Sequence, residues 1–150
     1  MGQGNGQEVE WLDRLVDAVR GIHELALEIG GGAQGEHTAS LYGACARPFQ
    51  SAFGEPIFVN PFERAAAIFH GIICDHVFVD GNKRTGTLVG FFFLGSEGAW
   101  PEPDDQRGLR LELLAQVALA TASGRLTVEH VVFWMRRIFD TEPPNGKIAP

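Results

Sequence analysis

Apolar residues recur at three- and four-residue steps through Val9, Leu12, Leu15, Val16, Val19, Ile22, Leu25, Ala26 and Ile29. That spacing predicts one long helix with a buried face, following a Gly-rich leader and stopped by Gly30, Gly31 and Gly32. Residues 33 to 40 are small and polar, and Leu41 to Arg47 predicts a short helix ended by Pro48. Phe49 to Val59 carries aromatic and β-favouring residues around Gly54-Glu55-Pro56, the pattern of an extended, hairpin-like flap. Asn60-Pro61-Phe62-Glu63 then marks a helix start, with Asn as N-cap, Pro at the first helical position and Glu placed to close a capping box.

That helix runs through Ala65, Ala66, Ile68, Phe69, Ile72 and Ile73 and ends at Asp75-His76. Thr85 to Leu94 is apolar nearly all round, as a helix at the centre of a fold is. Gly95 and Gly98 end it. Asp104 or Asp105 is placed to cap a further helix with the stripe Leu109, Leu113, Leu114, Val117 and Leu119, broken at Gly124. Thr127 caps a last helix bearing Val128, Val131, Val132, Trp134, Met135, Ile138 and Phe139. No repeat or internal boundary interrupts the series. The expectation is all-α: a helical bundle with one small β-hairpin flap, a single domain over residues 1–140 and a flexible tail over 141–150.

Composition narrows the function. The 150 residues carry a formal charge of −7, which argues against nucleic-acid binding through phosphate neutralisation and against an anionic membrane surface. Any anion must be held locally. Lys83 and Lys147 are the only lysines. Cys45 and Cys74 fit no metal spacing and read as two buried thiols of a reducing compartment. The start lacks a cationic region followed by an apolar one, and Leu88 to Leu94 is too short to span a bilayer, so a cytoplasmic location is expected.

Between the two most apolar helices lies Asp75 to Gly86, DHVFVDGNKRTG. If helices flank it, Gly81-Asn82-Lys83-Arg84 forms the first turn of the buried helix, whose free N–H groups and positive dipole end make an anion site. Lys83 and Arg84 add two charges there, and Gly81 lets an anion approach the backbone. Asp80 is a carboxylate beside phosphates, the setting in which Mg²⁺ is commonly held. His76 can accept a proton from an attacking hydroxyl, since histidine changes charge near neutral pH. Phe78 faces away from these groups and anchors the loop. Asp80-Gly81-Asn82 alone reads as a turn and a cap. Joined to His76, Lys83 and Arg84 at fixed offsets, it points to phosphoryl or nucleotidyl transfer from a nucleotide. A P-loop is absent, and an EF-hand would need oxygen ligands where His76 and Phe78 stand.

The string HVFVDGNKRTG resembles the signature of the Fic/Doc proteins. The Fic branch reads H-x-F-x-[DE]-G-N-G-R with a further arginine; here Lys83 stands in place of the glycine and Thr87 in place of the second arginine, as in the Doc (death on curing) branch. The likeness spans roughly residues 15 to 139, through Ile22-His23, the glycines at 30 to 32, Arg47-Pro48, the flap and Phe62-Glu63-Arg64-Ala65-Ala66. The resemblance implies a Fic-like fold and a toxin of a toxin–antitoxin pair: an ATP- and Mg²⁺-dependent protein kinase that phosphorylates a Ser or Thr hydroxyl of a target, a translation elongation factor. It implies His76 as base, Asp80 as metal ligand, and Gly81, Asn82, Lys83 and Arg84 at the phosphates. Lys83 would crowd the subsite that glycine leaves open, turning the chemistry from AMP transfer to terminal-phosphate transfer. The flap would hold the target as an added strand. Fic-type AMP transfer, or a catalytically silent antitoxin-binding module, remain alternatives.

Many Fic relatives silence themselves through an [ST]-x-x-x-E-[GN] helix; here Glu97 precedes Gly98, but Phe93 stands where Ser or Thr is required. A separate small antitoxin is therefore expected. Two further departures are Glu36-His37, where Doc-like chains often carry Arg-Asp, and Thr85-Gly86 for Thr-Ala, a glycine that costs a helix about 1 kcal/mol. His23 and His70 read as satisfied core or boundary groups, His37 and His130 as surface, and Trp11, Trp100 and Trp134 as core anchors.

Overall fold

In the computed structural model, which describes residues 3–103 and 105–144, the two apolar segments around the polar loop become the paired helices at the centre of the molecule. They are α3 (Pro61–Cys74) and α4 (Asn82–Ser96). Around them stand α1 (Gln3–Gly30), α2 (Thr38–Ala46), α5 (Arg107–Ala122) and α6 (Val128–Ile138). A single 3-10 turn, Arg47–Phe49, leads from α2 into a hairpin of β1 (Ser51–Ala52) and β2 (Glu55–Pro56), paired Ser51 with Pro56 and Ala52 with Glu55. The architecture is all-α with a small flap. Residues 145–150 of the expected tail lie outside the described residues.

The core follows the apolar pattern. Ile68, Phe69 and Ile72 of α3, Val89 and Leu94 of α4, Leu113, Leu114 and Val117 of α5, and Val131, Met135 and Ile138 of α6 are buried in one cluster with Val16 and Val19 of α1. One buried cation serves this core: Arg110 donates to the carbonyls of Ile138 and Asp140, tying α5 to the end of α6. Both cysteines are free thiols; burial pushes Cys45 up to about 12 and raises Cys74 as well.

Several boundaries differ from the expected ones for local reasons. α1 starts at Gln3, so the Gly-rich leader is helical from there: extending an existing helix fixes one residue per added bond, whereas starting one is costly. Leu25 and Ile29, assigned to its buried face, are exposed, as is Leu119 of α5. α5 is preceded by Gln106 with no side-chain cap, not by Asp105, while Asp104 lies outside the described residues. Asn60 Oδ1 accepts from Glu63 N at 3.0 Å as expected, yet Glu63 Oε2 accepts from Val59 N at 2.7 Å, one residue before the cap. His130 is exposed, and its Nδ1 closes a capping box with Thr127.

The flap turns tightly. Phe53 and Gly54 both have positive φ, 53° and 78°, the conformation of a two-residue hairpin turn. Phe53 is fully exposed, and Phe49, Ile57 and Val59 are at least partly so, leaving an apolar ribbon in solvent.

Gly86 belongs to the α3–α4 contact. A Cβ there would lie 2.6 Å from Ile73 Cγ1, so the glycine lets the two central helices approach and its helix-propensity cost is offset by packing. Gly86→Ala is expected to lower stability by about 1–3 kcal/mol despite alanine's better propensity. Combining it with Ile73→Ala should cost less than the sum of the two single changes in urea denaturation. Stabilisation by Gly86→Ala would show that the contact is not tight.

Candidate active site

α3 ends at Cys74 with Asp75 as its C-cap, and His76 immediately takes a positive φ of 48°, a turn that carries the chain away from the helix axis. Its side chain is exposed, whereas Val77 and Phe78 are buried. The loop returns to helix at Gly81, whose φ of 79° suits glycine and which precedes α4 without a side-chain cap. Thr85 N–H is the first to reach back, to Gly81 O at 2.9 Å. The N–H groups of Asn82, Lys83 and Arg84 therefore have no acceptor inside the helix.

Main-chain and side-chain bonds clamp the loop from both sides. His37 N donates to Val77 O at 2.7 Å and Val79 N to Gly35 O at 3.0 Å, so Glu36 and Phe78 pair as an isolated antiparallel bridge. Asn82 closes the turn, Oδ1 accepting from Phe78 N at 2.9 Å and Nδ2 donating to Phe78 O at 2.8 Å. Arg84 reaches across to the end of α1, where it donates to the carbonyls of Ala26 and Gly31. At the start of the loop, Arg47 pairs with Asp75 at 2.7 Å.

The expected site residues thus fall into two groups. His76, Asp80 and Lys83 are exposed and Gly81 half-buried, along the loop and the open N-terminus of α4 that it leads into. Lys83 is exposed and enters none of the ion pairs among the described residues. The side chains of Asn82 and Arg84 have structural partners, so what the first turn of α4 offers an anion from these two residues is their main-chain N–H and the charge of Arg84.

Asp80 is held as a carboxylate. Ala33 N donates to Oδ2 at 3.1 Å and Gly81 N to Oδ1 at 2.8 Å, and these bonds, Ala33's first, keep its pKa below the ordinary value. A Cβ on Gly32 would lie 2.7 Å from Asp80 Oδ2, so the glycine cluster that stops α1 also makes room for this side chain. No group of three or more His, Cys, Asp and Glu gathers among the described residues. One exposed, ionised carboxylate beside an anion site nevertheless fits Mg²⁺, which characteristically takes one or two carboxylates and completes its shell with phosphates and water.

Sequence reasoning missed three supports. Arg20 pairs with Glu36 through two bonds, of 2.7 and 2.9 Å, and this pairing is the main reason the Glu36 carboxyl sits below its usual range. His23, read as a satisfied core group, is buried and contacts both Phe78 and Asp80. Ala33 supplies a main-chain donor. The signal available was the spacing of Arg20, His23 and Leu27 on one face of α1, together with the Glu36-His37 departure. Glu97 lies at the opposite end of α4, paired with Arg64 at 2.8 Å. Along α4, between α1 and α5, runs an apolar groove of about 480 Å³ with Lys83 and Arg84 at its head and Ile29 and Leu119 in its lining.

Residues 11–94 match the model of the Fic/DOC family, more than half of the chain, and the chain belongs to that family. It is similar to the Toxin Doc of Mycolicibacterium smegmatis, 28% identical over 109 residues that cover 73% of this chain and 81% of that protein. Within the family the likeness is therefore to the Doc branch.

The bonds to Asp80 carry a pH dependence. Its folded-state pKa is depressed, so the unfolded state takes up the proton first and stability rises with pH across the carboxylate range. Asp80→Asn is expected to be less stable than the parent at neutral pH. The gap should close as pH falls through the folded-state pKa. A gap independent of pH between neutrality and strong acid would mean that the carboxylate charge is not what the two N–H groups hold.

Proposed function

We propose that the chain is a Doc-type toxin acting as a Mg²⁺- and ATP-dependent protein kinase on a Ser or Thr hydroxyl. The observation that carries this reading is Lys83: an exposed cation that enters none of the ion pairs among the described residues, on the open first turn of α4, close in sequence to the exposed Asp80 and His76. A long cation where Fic relatives carry glycine fills space next to the anion site and favours a triphosphate entering with its terminal group foremost. His76 accepts the proton of the target hydroxyl; the hydroxyl oxygen forms its bond to the γ-phosphorus as the bond to the β–γ bridging oxygen breaks, and ADP leaves. Asp80 would hold Mg²⁺, which supplies charge neutralisation to the phosphates. The N–H groups of Asn82, Lys83 and Arg84 and the Lys83 ammonium bind and orient the phosphates.

The exposed edge and apolar side chains of the flap suit a target segment added as a strand, and a translation elongation factor is the target class that the Doc likeness suggests. That likeness also suggests a small antitoxin as partner. The apolar groove headed by Lys83 and Arg84 suits an amphipathic segment of such a protein, which from there would also obstruct the phosphate site. No helix among the described residues is long and apolar enough to cross a membrane, and the site needs none, so action on a cytoplasmic protein is consistent with the reading.

With cell extract as target source, label from γ-labelled ATP should pass to a protein. His76→Ala should lower transfer by about 100-fold or more, the usual contribution of a general base. Label from α-labelled ATP alone would identify AMP transfer instead. Expressed without a partner, the chain should halt growth and His76→Ala should not. Normal growth together with no transfer of either label would indicate a silent binding module.

A further inference from the structure

We propose that His23 is a positioning residue for the loop, holding Asp80 and the segment after His76 in their working geometry; its effect on turnover rests on the kinase reading above. His23 is 6% exposed, and its ring lies flat on Phe78 with centroids 3.8 Å apart and planes 5° from parallel. Its Nε2 is 2.8 Å from the carbonyl oxygen of Asp80. A carbonyl only accepts, so Nε2 carries a proton and donates.

The consequence runs through one peptide plane. In a trans peptide the Asp80 carbonyl and the Gly81 N–H point in opposite directions. Holding the carbonyl therefore also fixes the Gly81 N–H of the same plane, which donates to Asp80 Oδ1 at 2.8 Å. His23 thus orients the carboxylate proposed to hold Mg²⁺ without touching it. The stack acts on the other half of the loop. Phe78 lies between Val77 and Val79, whose main chains pair with His37 and Gly35, so a fixed Phe78 ring fixes the register of the residues that follow His76.

The setting is built for this. One turn before His23, Arg20 holds Glu36 in the segment bridged to the loop, and one turn after it Leu27 Cδ2 would lie 3.3 Å from a Cβ on Gly81. Three side chains on one face of α1 therefore back the loop. Around the imidazole stand Arg20 and Glu24 of its own helix, Glu36 of the paired segment, and Phe78 and Asp80 of the loop.

Two variants separate the contacts. His23→Phe keeps an aromatic ring against Phe78 but loses the donor; His23→Gln keeps a donor and loses the ring. Each is measured for thermal stability, for hydrogen exchange of the Phe78 and Val79 amides, for Mg-ATP affinity, and for kcat and KM of transfer. His23→Phe should remain folded, with exchange at these two amides faster by about tenfold or more and kcat lower by on the order of 100-fold, the effect of a small misplacement of reacting groups. KM for ATP should change much less, and His23→Gln should recover part of kcat. Exchange in His23→Phe equal to that of the parent would overturn the proposal whether or not transfer is seen. So would a kcat loss that only tracks the unfolded fraction. Faster exchange with no transfer by the parent protein would support the clamp and remove the kinase reading alone. If His23→Phe fails to fold, His23→Gln decides by the same amide exchange.

Discussion

The loop between α3 and α4 is seated on one face of α1, and the polar chemistry of the molecule depends on that seat. Arg20 grips the segment that pairs with the loop, His23 takes the Asp80 carbonyl and the Phe78 ring, and the carbonyls of Ala26 and Gly31 receive Arg84 from the first turn of α4. Each contact satisfies a polar group that would otherwise be costly near a core. Together they let a short segment with a strained turn at His76 hold one shape between two helices that are apolar on nearly every side.

The seat explains how an acidic chain can offer an anion site. With a net charge of −7, the protein draws no anion by its overall field. Charge is instead arranged locally: the open N–H groups of α4 and the Lys83 ammonium lie at one helix end, while the Arg84 guanidinium beside them is turned onto the carbonyls at the end of α1. Asp80 is favoured as a carboxylate there because two N–H groups hold it, the state in which the proposed hard cation would need it.

Much of this was legible in the residues. The capping sequence at Asn60, the apolar run of α4 and the polar run from His76 to Arg84 foretold the two central helices and the loop between them, because those features are local. The flap was legible from Gly54 and its β-favouring flanks. What was hidden depends on distant partners. Glu36-His37 looked like a departure from the Doc pattern in a polar loop, and only its pairing with Val77 to Val79 shows it to be a bridged segment held by Arg20. His23 read as a satisfied core or boundary group and is buried and hydrogen-bonded, but its partners, more than fifty residues away, were not legible. Gly86 read as a helix weakness because Ile73 of the neighbouring helix cannot be seen from propensity. Leu119 followed helical periodicity and yet lies exposed along an apolar groove.

The central claim is that the first turn of α4, backed by α1, is a phosphate cradle. Titrating the ¹⁵N-labelled protein with a non-hydrolysable ATP analogue and Mg²⁺ tests it most directly. The account predicts that the largest, saturable amide shifts fall on Asn82, Lys83 and Arg84, with Gly81 and Asp80 close behind. Shifts concentrated elsewhere, or none at saturating nucleotide, would contradict it.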